Sequence, residues 1–332
     1  MKMFYKLLSA FLIIIFTLNI VISFYFYNMS VARNKKDFLA NDSALRGETP
    51  AEDNVSEEQA ISVNAEVFSA SPEDTVEIDW FNKQPYEEVS ITSEDGLMLT
   101  GYYLEAETPT NNTAILAHGY SSQGTYMGSY AKIYYDMGYN VLLPDDRGHG
   151  KSEGSYIGFG WVDRKDYLGW IDFILNRVGE ASQIVLHGVS MGGATVLMVS
   201  GEVLPEAVKA IVSDCSYTSV HDELKYQLKR LYKLPSFPIL NSTSLLTKLR
   251  AGYSFKEASA LEQVKKSNTP TLFIHGGADK FVPYSMVNEL YEACSSEKDI
   301  YIVPGAGHGT AFDTDVWGYK NKVKAFVDKY VK

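Results

Sequence analysis

Three residues of this chain, Ser190, Asp279 and His308, have types and an order that suit acyl transfer. That chemistry needs a nucleophile, a base to take its proton, a carboxylate to orient the base, and amide donors for the oxyanion. Ser190 lies in Leu186–Gly193, which reads LHGVSMGG. An apolar run before it (Ile184, Val185, Leu186) suits a buried strand, and Ala194–Val199 after it begins an apolar helix. A serine at such a turn adopts strained backbone angles, and Gly188 and Gly192 on either side allow strand and helix to pack closely. The hydroxyl then stands above the sheet edge at a helix N-terminus, whose dipole favours developing negative charge. Alone, G-x-S-x-G also describes a glycine-rich turn with an incidental serine, so the other residues decide.

Asp279 lies in HGGAD (275–279), directly after the apolar run Thr271–Ile274. His308 lies in PGAGHG (304–309), directly after Ile300–Val303. Nucleophile, acid and histidine thus each follow a different strand, in that order. A histidine suits the base role because its ordinary pKa near 6.5 lets it accept and return a proton at neutral pH. Asp214, after the strand Ala210–Val212, is the alternative acid, and His149 the alternative base. His118-Gly119-Tyr120 follows the early strand Thr113–Ala117, where a second oxyanion donor belongs. The expected donors are therefore the backbone N–H groups of Tyr120 and Met191. His118 and His149 are expected to bond loop backbone, and His187 and His275, at strand ends, to support the core or the site. Serine rather than aspartate at position 190 argues against a dehalogenase.

The elements needed to hold these residues are legible in the pattern. Val89 and Ile91, a turn at Glu94-Asp95-Gly96, then Leu97, Leu99 and Tyr102-Tyr103-Leu104 predict an antiparallel hairpin. Short apolar strands at Thr113–Ala117, Asn140–Leu143, Ile184–Leu186, Ala210–Val212, Thr271–Ile274 and Ile300–Val303 alternate with helices at Tyr130–Met137, Val162–Val178, Tyr284–Ala293 and Val316–Val331. This is an α/β pattern: a mostly parallel sheet with helices on both faces. Ser216–Lys265 is long for a plain crossover. Its amphipathic helix (Val220, Leu224, Leu228, Leu231), followed by Pro235, Phe237 and Pro238, predicts a small helical cap, about 216–265, over the strand C-termini.

Leu7–Tyr27 is uncharged, with Asn19 the one strongly polar interruption. As a helix at about 1.5 Å per residue it spans roughly 31 Å, close to a bilayer's hydrocarbon core. An uncleaved signal anchor (1–36) fits that length. A cleaved signal peptide, with small residues at Ser30-Val31-Ala32, and a buried core helix are the competing readings. The very short N-terminal flank favours N-inside with the body exported. Asp37–Asp79 carries twelve acidic residues against Arg46 alone, which accounts for the net charge of −11. The segment 37–84 reads as an acidic spacer, with a short helix around Ser56–Val67, ahead of a catalytic domain at 85–332. Nothing in the charge pattern suits nucleic acid. Cys215 and Cys294 form no C-x-x-C, and Cys215 reads as a small core residue.

HGY at 118–120, PDDRGHGKSEG at 144–154, GVSMGG at 188–193, HGGAD at 275–279 and GAGH at 305–308 together resemble the α/β-hydrolase superfamily over nearly all of Tyr86–Lys332. Within it the chain resembles the membrane-anchored bacterial hydrolases of the prolyl-oligopeptidase-like and BAAT-like group. The resemblance implies hydrolysis of a small-molecule ester, less often an amide, with no cofactor or metal. Valine at 189, where histidine is commoner, departs from the pattern without touching the triad. A peptidase or acyltransferase with the same triad remains an alternative, as does a non-catalytic surface binding protein.

Overall fold

The structure, a computed structural model, describes residues 2–34, 36, 39, 42, 44, 45 and 80–332. Most of the acidic spacer read from the sequence, including the helix around 56–67, lies outside the described residues. The chain begins with helix α1 (Lys2–Ser30). The hairpin β1 (Glu87–Thr92) and β2 (Met98–Leu104) follows, then β3 (Asn112–Ala117), helix α2 (Gly128–Asp136), β4 (Asn140–Pro144), helix α3 (Asp163–Val178) and β5 (Gln183–Val189). Helix α4 (Met191–Ser200) and β6 (Val208–Asp214) lead into three helices, α5 (Val220–Tyr232), α6 (Ile239–Ala251) and α7 (Ala260–Val264). The chain closes with β7 (Thr271–Gly276), α8 (Tyr284–Ala293), β8 (Lys298–Val303), α9 (Ala311–Thr314) and α10 (Val316–Val327).

The eight strands form one sheet in the order β1-β2-β4-β3-β5-β6-β7-β8. β2 pairs antiparallel with β1 and β4, and every later pairing is parallel. Strands covered on both faces need apolar side chains at every position, and β5 and β7 are accordingly near-continuous buried runs. One apolar layer packs α3, α4 and α8 on the sheet (Trp170, Ile171, Leu197, Leu290), while α2 and α10 cover the other face (Tyr134, Tyr319, Val323). The α/β architecture read from the sequence is the observed one. α10 ends four residues earlier than its apolar pattern predicts, at Val327.

Between β6 and β7 the cap region carries α6 besides the expected amphipathic helix α5. α5 begins at Ser219, whose hydroxyl accepts the Asp222 N–H, and stops where Lys233 takes a left-handed conformation. The cap also receives the end of α1. Side chains from Met3 to Tyr25 are mostly exposed, whereas Phe26, Tyr27, Ser30 and Val31 are buried against the body. Ala32 forms an antiparallel bridge with Tyr156, and the Ile157 N–H donates to the Val31 carbonyl at 2.7 Å. Arg33 donates to the carbonyls of Gly150 and Ser152, and Arg230 of α5 pairs with the buried Asp42 carboxylate.

Candidate active site

Ser190 occupies the turn between β5 and α4 with φ of +57°, a left-handed conformation that costs about 1–2 kcal/mol for a residue with a side chain. The flanking glycines make the turn possible. A Cβ at Gly188 would overlap the Gly192 carbonyl, and one at Gly192 would overlap the Ala117 carbonyl of β3. The serine's own N–H is held by the Asp214 carbonyl at 2.9 Å.

The loops after β7 and β8 bring the other two residues to the hydroxyl. Ser190 Oγ lies 2.8 Å from His308 Nε2, and His308 Nδ1 lies 2.8 Å from Asp279 Oδ2. With Nδ1–H donated to the carboxylate, Nε2 is left to accept the serine proton. Asp279 is itself fixed: its Oδ1 accepts the N–H groups of Phe281 (2.8 Å) and Val282 (2.9 Å). His275 Nε2 donates to the Val282 carbonyl and approaches Asp279 Oδ2 at 3.3 Å. Burial alone would raise the Asp279 carboxyl, but the charge of His308 and the hydrogen bonds from His275 and His308 hold it well below the usual carboxylate range.

The alternatives weighed from the sequence are engaged elsewhere. Asp214 accepts the Tyr319 hydroxyl at 3.0 Å, and burial raises its carboxyl to about 6. Behind it, Tyr319 receives the His187 Nε2–H, and His187 Nδ1 receives the Tyr134 hydroxyl. His149 spans the Arg147 carbonyl and the Ser121 N–H. His118 donates to the Gly119 carbonyl and accepts the Asp146 N–H. Burial lowers both of these rings, which stay neutral and brace the loops after β3 and β4. Cys215 and Cys294 are buried free thiols.

Met191 is the first residue of α4, so its N–H has no intrahelical acceptor. Tyr120 and Met191 both line the pocket into which Ser190 opens. The pocket walls are apolar: Phe159 from the body, Leu224, Leu228 and Leu231 from α5, Ile239 and Leu240 from α6, Phe255 after it, and Phe26 and Met29 from α1. Three lining contributions were missed from the sequence. Phe281 lies with its ring 4.8 Å from that of His308, Glu223 is buried in the wall, and α1 supplies Phe26, Met29 and Ser30. Glu223 sits at a polar position of the α5 pattern, and only the tertiary fold turns it inward.

The sheet order, the covered faces and a serine on a strained strand-to-helix turn define an α/β-hydrolase. The prolyl oligopeptidase family model matches residues 125–332, and the chain belongs to that family of serine hydrolases. The uncharacterized Bacillus subtilis protein YqkD is 32% identical over 72% of this chain and 78% of its own length. The uncharacterized Saccharomyces cerevisiae membrane protein YNL320W is 25% identical over 73% of this chain and 80% of its own. Among solved structures, the Pyrococcus furiosus esterase Pf2001 superposes with a TM-score of 0.63 at 24% identity, covering 79% of this chain and 95% of that one. Pyrococcus horikoshii acylaminoacyl peptidase superposes with a TM-score of 0.57 at 20% identity, over 76% of this chain and 43% of that one.

Proposed function

We propose that the protein is a membrane-anchored serine esterase that works through an acyl-enzyme on Ser190. The carrying observation is the continuous line from Ser190 Oγ through His308 to Asp279 at the floor of an apolar pocket. His308 Nε2 takes the serine proton as Oγ attacks the ester carbonyl, and Asp279 holds the ring and stabilises the imidazolium. The N–H groups of Tyr120 and Met191 receive the oxyanion. The C–O bond to the alcohol then breaks, and the alcohol leaves with the proton from His308. Water, deprotonated by the same ring, attacks the acyl-enzyme and releases the carboxylic acid.

An ester with an apolar acyl group suits these walls better than a peptide, whose amide groups need hydrogen-bonding partners when buried. The Pyrococcus horikoshii acylaminoacyl peptidase on the same fold keeps a peptidase as the second reading.

α1 supports the membrane reading by its length and apolar composition. Retention of the anchor is supported by Val31, which is fully buried, and by Ala32, which pairs with Tyr156. Cleavage at Ser30-Val31-Ala32 would strip Phe26 and Met29 from the pocket wall. The reading places the body outside the cytoplasm.

The test is fluorophosphonate labelling of the full chain in detergent, with Ser190→Ala as control and p-nitrophenyl esters of rising chain length as substrates. Labelling that disappears in the variant, with turnover lowered by roughly 10⁴–10⁶, is the expected result. Labelling that persists in Ser190→Ala would overturn the assignment. Hydrolysis of acyl-peptides in preference to every ester would favour the peptidase.

A further inference from the structure

We propose that the pocket opens on the bilayer side and that its substrate is a long-chain acyl ester of a membrane lipid, taken laterally from the leaflet. This deepens the esterase reading and rests on it, and on α1 as the anchor.

The first observation is that one helix serves two environments. From Met3 to Tyr25 the α1 side chains are mostly exposed, as lipid contact requires. One turn later Phe26 and Met29 line the same pocket as Ser190. Phe26 still belongs to the uncharged run Leu7–Tyr27, so the pocket wall begins before the apolar span ends. The far end of the pocket is therefore level with the membrane boundary rather than held away from it.

The second observation is independent and lies on the cap. α6 runs beside α1: Ser23 Oγ donates to Ser242 Oγ at 2.8 Å, and the Arg250 guanidinium lies 5.1 Å from the centre of the Tyr27 ring. These contacts advance in the same direction along both helices, so the two run in a parallel sense. The start of α6 then lies toward the lipid-exposed part of α1. On the outer side Phe237, just before α6, is 73% exposed, Leu245 61% and Leu249 77%. Leu245 and Leu249, four residues apart, share one face of α6, and Phe237 stands exposed in the turn that precedes it. The inner side of α6 holds Ile239 and Leu240, which line the pocket. An aliphatic stripe of this kind in water marks an interaction surface, and its continuity with α1 names the occupant as the bilayer.

A lipid chain crossing water to reach a distant pocket would lose its apolar surroundings methylene by methylene. Where α1 and α6 meet the pocket they line it with Phe26, Met29, Ile239 and Leu240, which keeps much of a chain's apolar surroundings as it enters. At Ser190 the acyl carbon–oxygen bond breaks, the rest of the lipid leaves as the protonated alcohol, and water completes release of the fatty acid.

The experiment uses the full chain in phosphatidylcholine vesicles carrying a fluorogenic long-chain glycerolipid ester, with water-soluble p-nitrophenyl acetate assayed on the same vesicles. Wild type is expected to cleave both. Phe237→Glu and the double variant Leu245→Glu/Leu249→Glu should lose tenfold or more on the embedded lipid. Their p-nitrophenyl acetate turnover and fluorophosphonate labelling should stay within twofold of wild type. Phe26→Trp, which fills the wall, should shorten the longest acyl chain accepted. The proposal falls if the charged variants cleave the embedded lipid at the wild-type rate. It also falls, with the esterase reading intact, if wild type labels and cleaves p-nitrophenyl acetate but leaves the lipid untouched. Loss of labelling and of both activities in wild type would remove the esterase reading, and this proposal with it.

Discussion

The Tyr120 hydroxyl donates to the Ser30 carbonyl at 2.7 Å, joining the loop after β3 to the last turn of α1. The same turn is closed by Lys36, whose ammonium donates to the carbonyls of Met29 and Ala32 and lies 5.5 Å from the centre of the Tyr120 ring. Helix C-termini leave carbonyls without intrahelical donors, and here a tyrosine and a lysine supply them. The apolar helix and the loop expected to carry an oxyanion donor are thus mechanically one unit. Tyr120→Phe leaves the Ser30 carbonyl without its donor, at a cost of about 1–3 kcal/mol. The expected result is a lower urea midpoint in detergent and a several-fold fall in kcat on a short ester. An unchanged midpoint and kcat would mean that the contact transmits nothing.

Two aspartates lie near Ser190, and their partners predict opposite outcomes. Asp279→Asn leaves His308 without its carboxylate and should lower kcat by about 10⁴. Asp214→Asn alters the Tyr319 contact but leaves the His308–Asp279 hydrogen bond in place, and should leave kcat within about tenfold of wild type. Single-turnover acylation with p-nitrophenyl acetate separates the two. Equal losses would place the orienting carboxylate elsewhere.

Much of this arrangement is legible in the sequence because parallel strands buried on both faces read as apolar runs. Thr271–Ile274 and Ile300–Val303 are such runs, and the acid and histidine follow each directly. The glycines around Ser190 are legible for the same kind of reason, since only glycine tolerates the approach of Gly192 to Ala117. The half built by α1 and the cap is different. Phe26, Tyr27 and Val31 are apolar residues in an apolar helix, and a lipid-facing position and a core position look alike in sequence. α6 gives no amphipathic pattern, because Leu245 and Leu249 point outward. Its buried Thr243 and Thr247 satisfy their hydroxyls on the carbonyls of Ile239 and Thr243. His275 reaches Asp279 through its ring nitrogen, which no spacing rule reveals.

The PDDRGHG segment after β4 has a role that its residues alone leave open. Arg147 is nearly fully buried and grips both Asp166 oxygens through Nε and Nη2, each at 2.7 Å, while Nη1 reaches Asp95 in the β1–β2 turn at 2.9 Å. It ties the hairpin, α3 and the loop bearing His149 to one another. Arg147→Met strands the buried Asp166 carboxylate and should cost about 3–5 kcal/mol in urea unfolding. Replacing Asp166 with leucine as well should recover part of that loss. A double variant no better than the single one would show that the pair acts through packing rather than charge.

Glu223 gives the site a pH dependence of known sign. Its Oε1 accepts Gln227 Nε2 at 2.6 Å, its Oε2 has no partner among the described residues, and burial pushes its carboxyl up to about 8. Below the unfolded value of 4.5 both states are protonated and the group's contribution to stability is fully present. As pH rises from there toward about 8 the unfolded chain ionises while the native carboxyl, inside an apolar wall, stays protonated, and that contribution is lost progressively until the native group ionises too. Glu223→Gln keeps the shape and cannot ionise, so the stability difference between variant and wild type should grow in the variant's favour across this window. The growth should be at most about 1.4 kcal/mol per pH unit, levelling off at higher pH. Because every other group is common to both proteins, the difference isolates Glu223. Urea unfolding in detergent at pH 5, 7 and 9 measures it. The same charge faces the pocket, so KM for a long-chain ester should rise above pH 8 in wild type and stay flat in Glu223→Gln. A stability difference that is flat with pH would mean that Glu223 ionises freely, in contact with water.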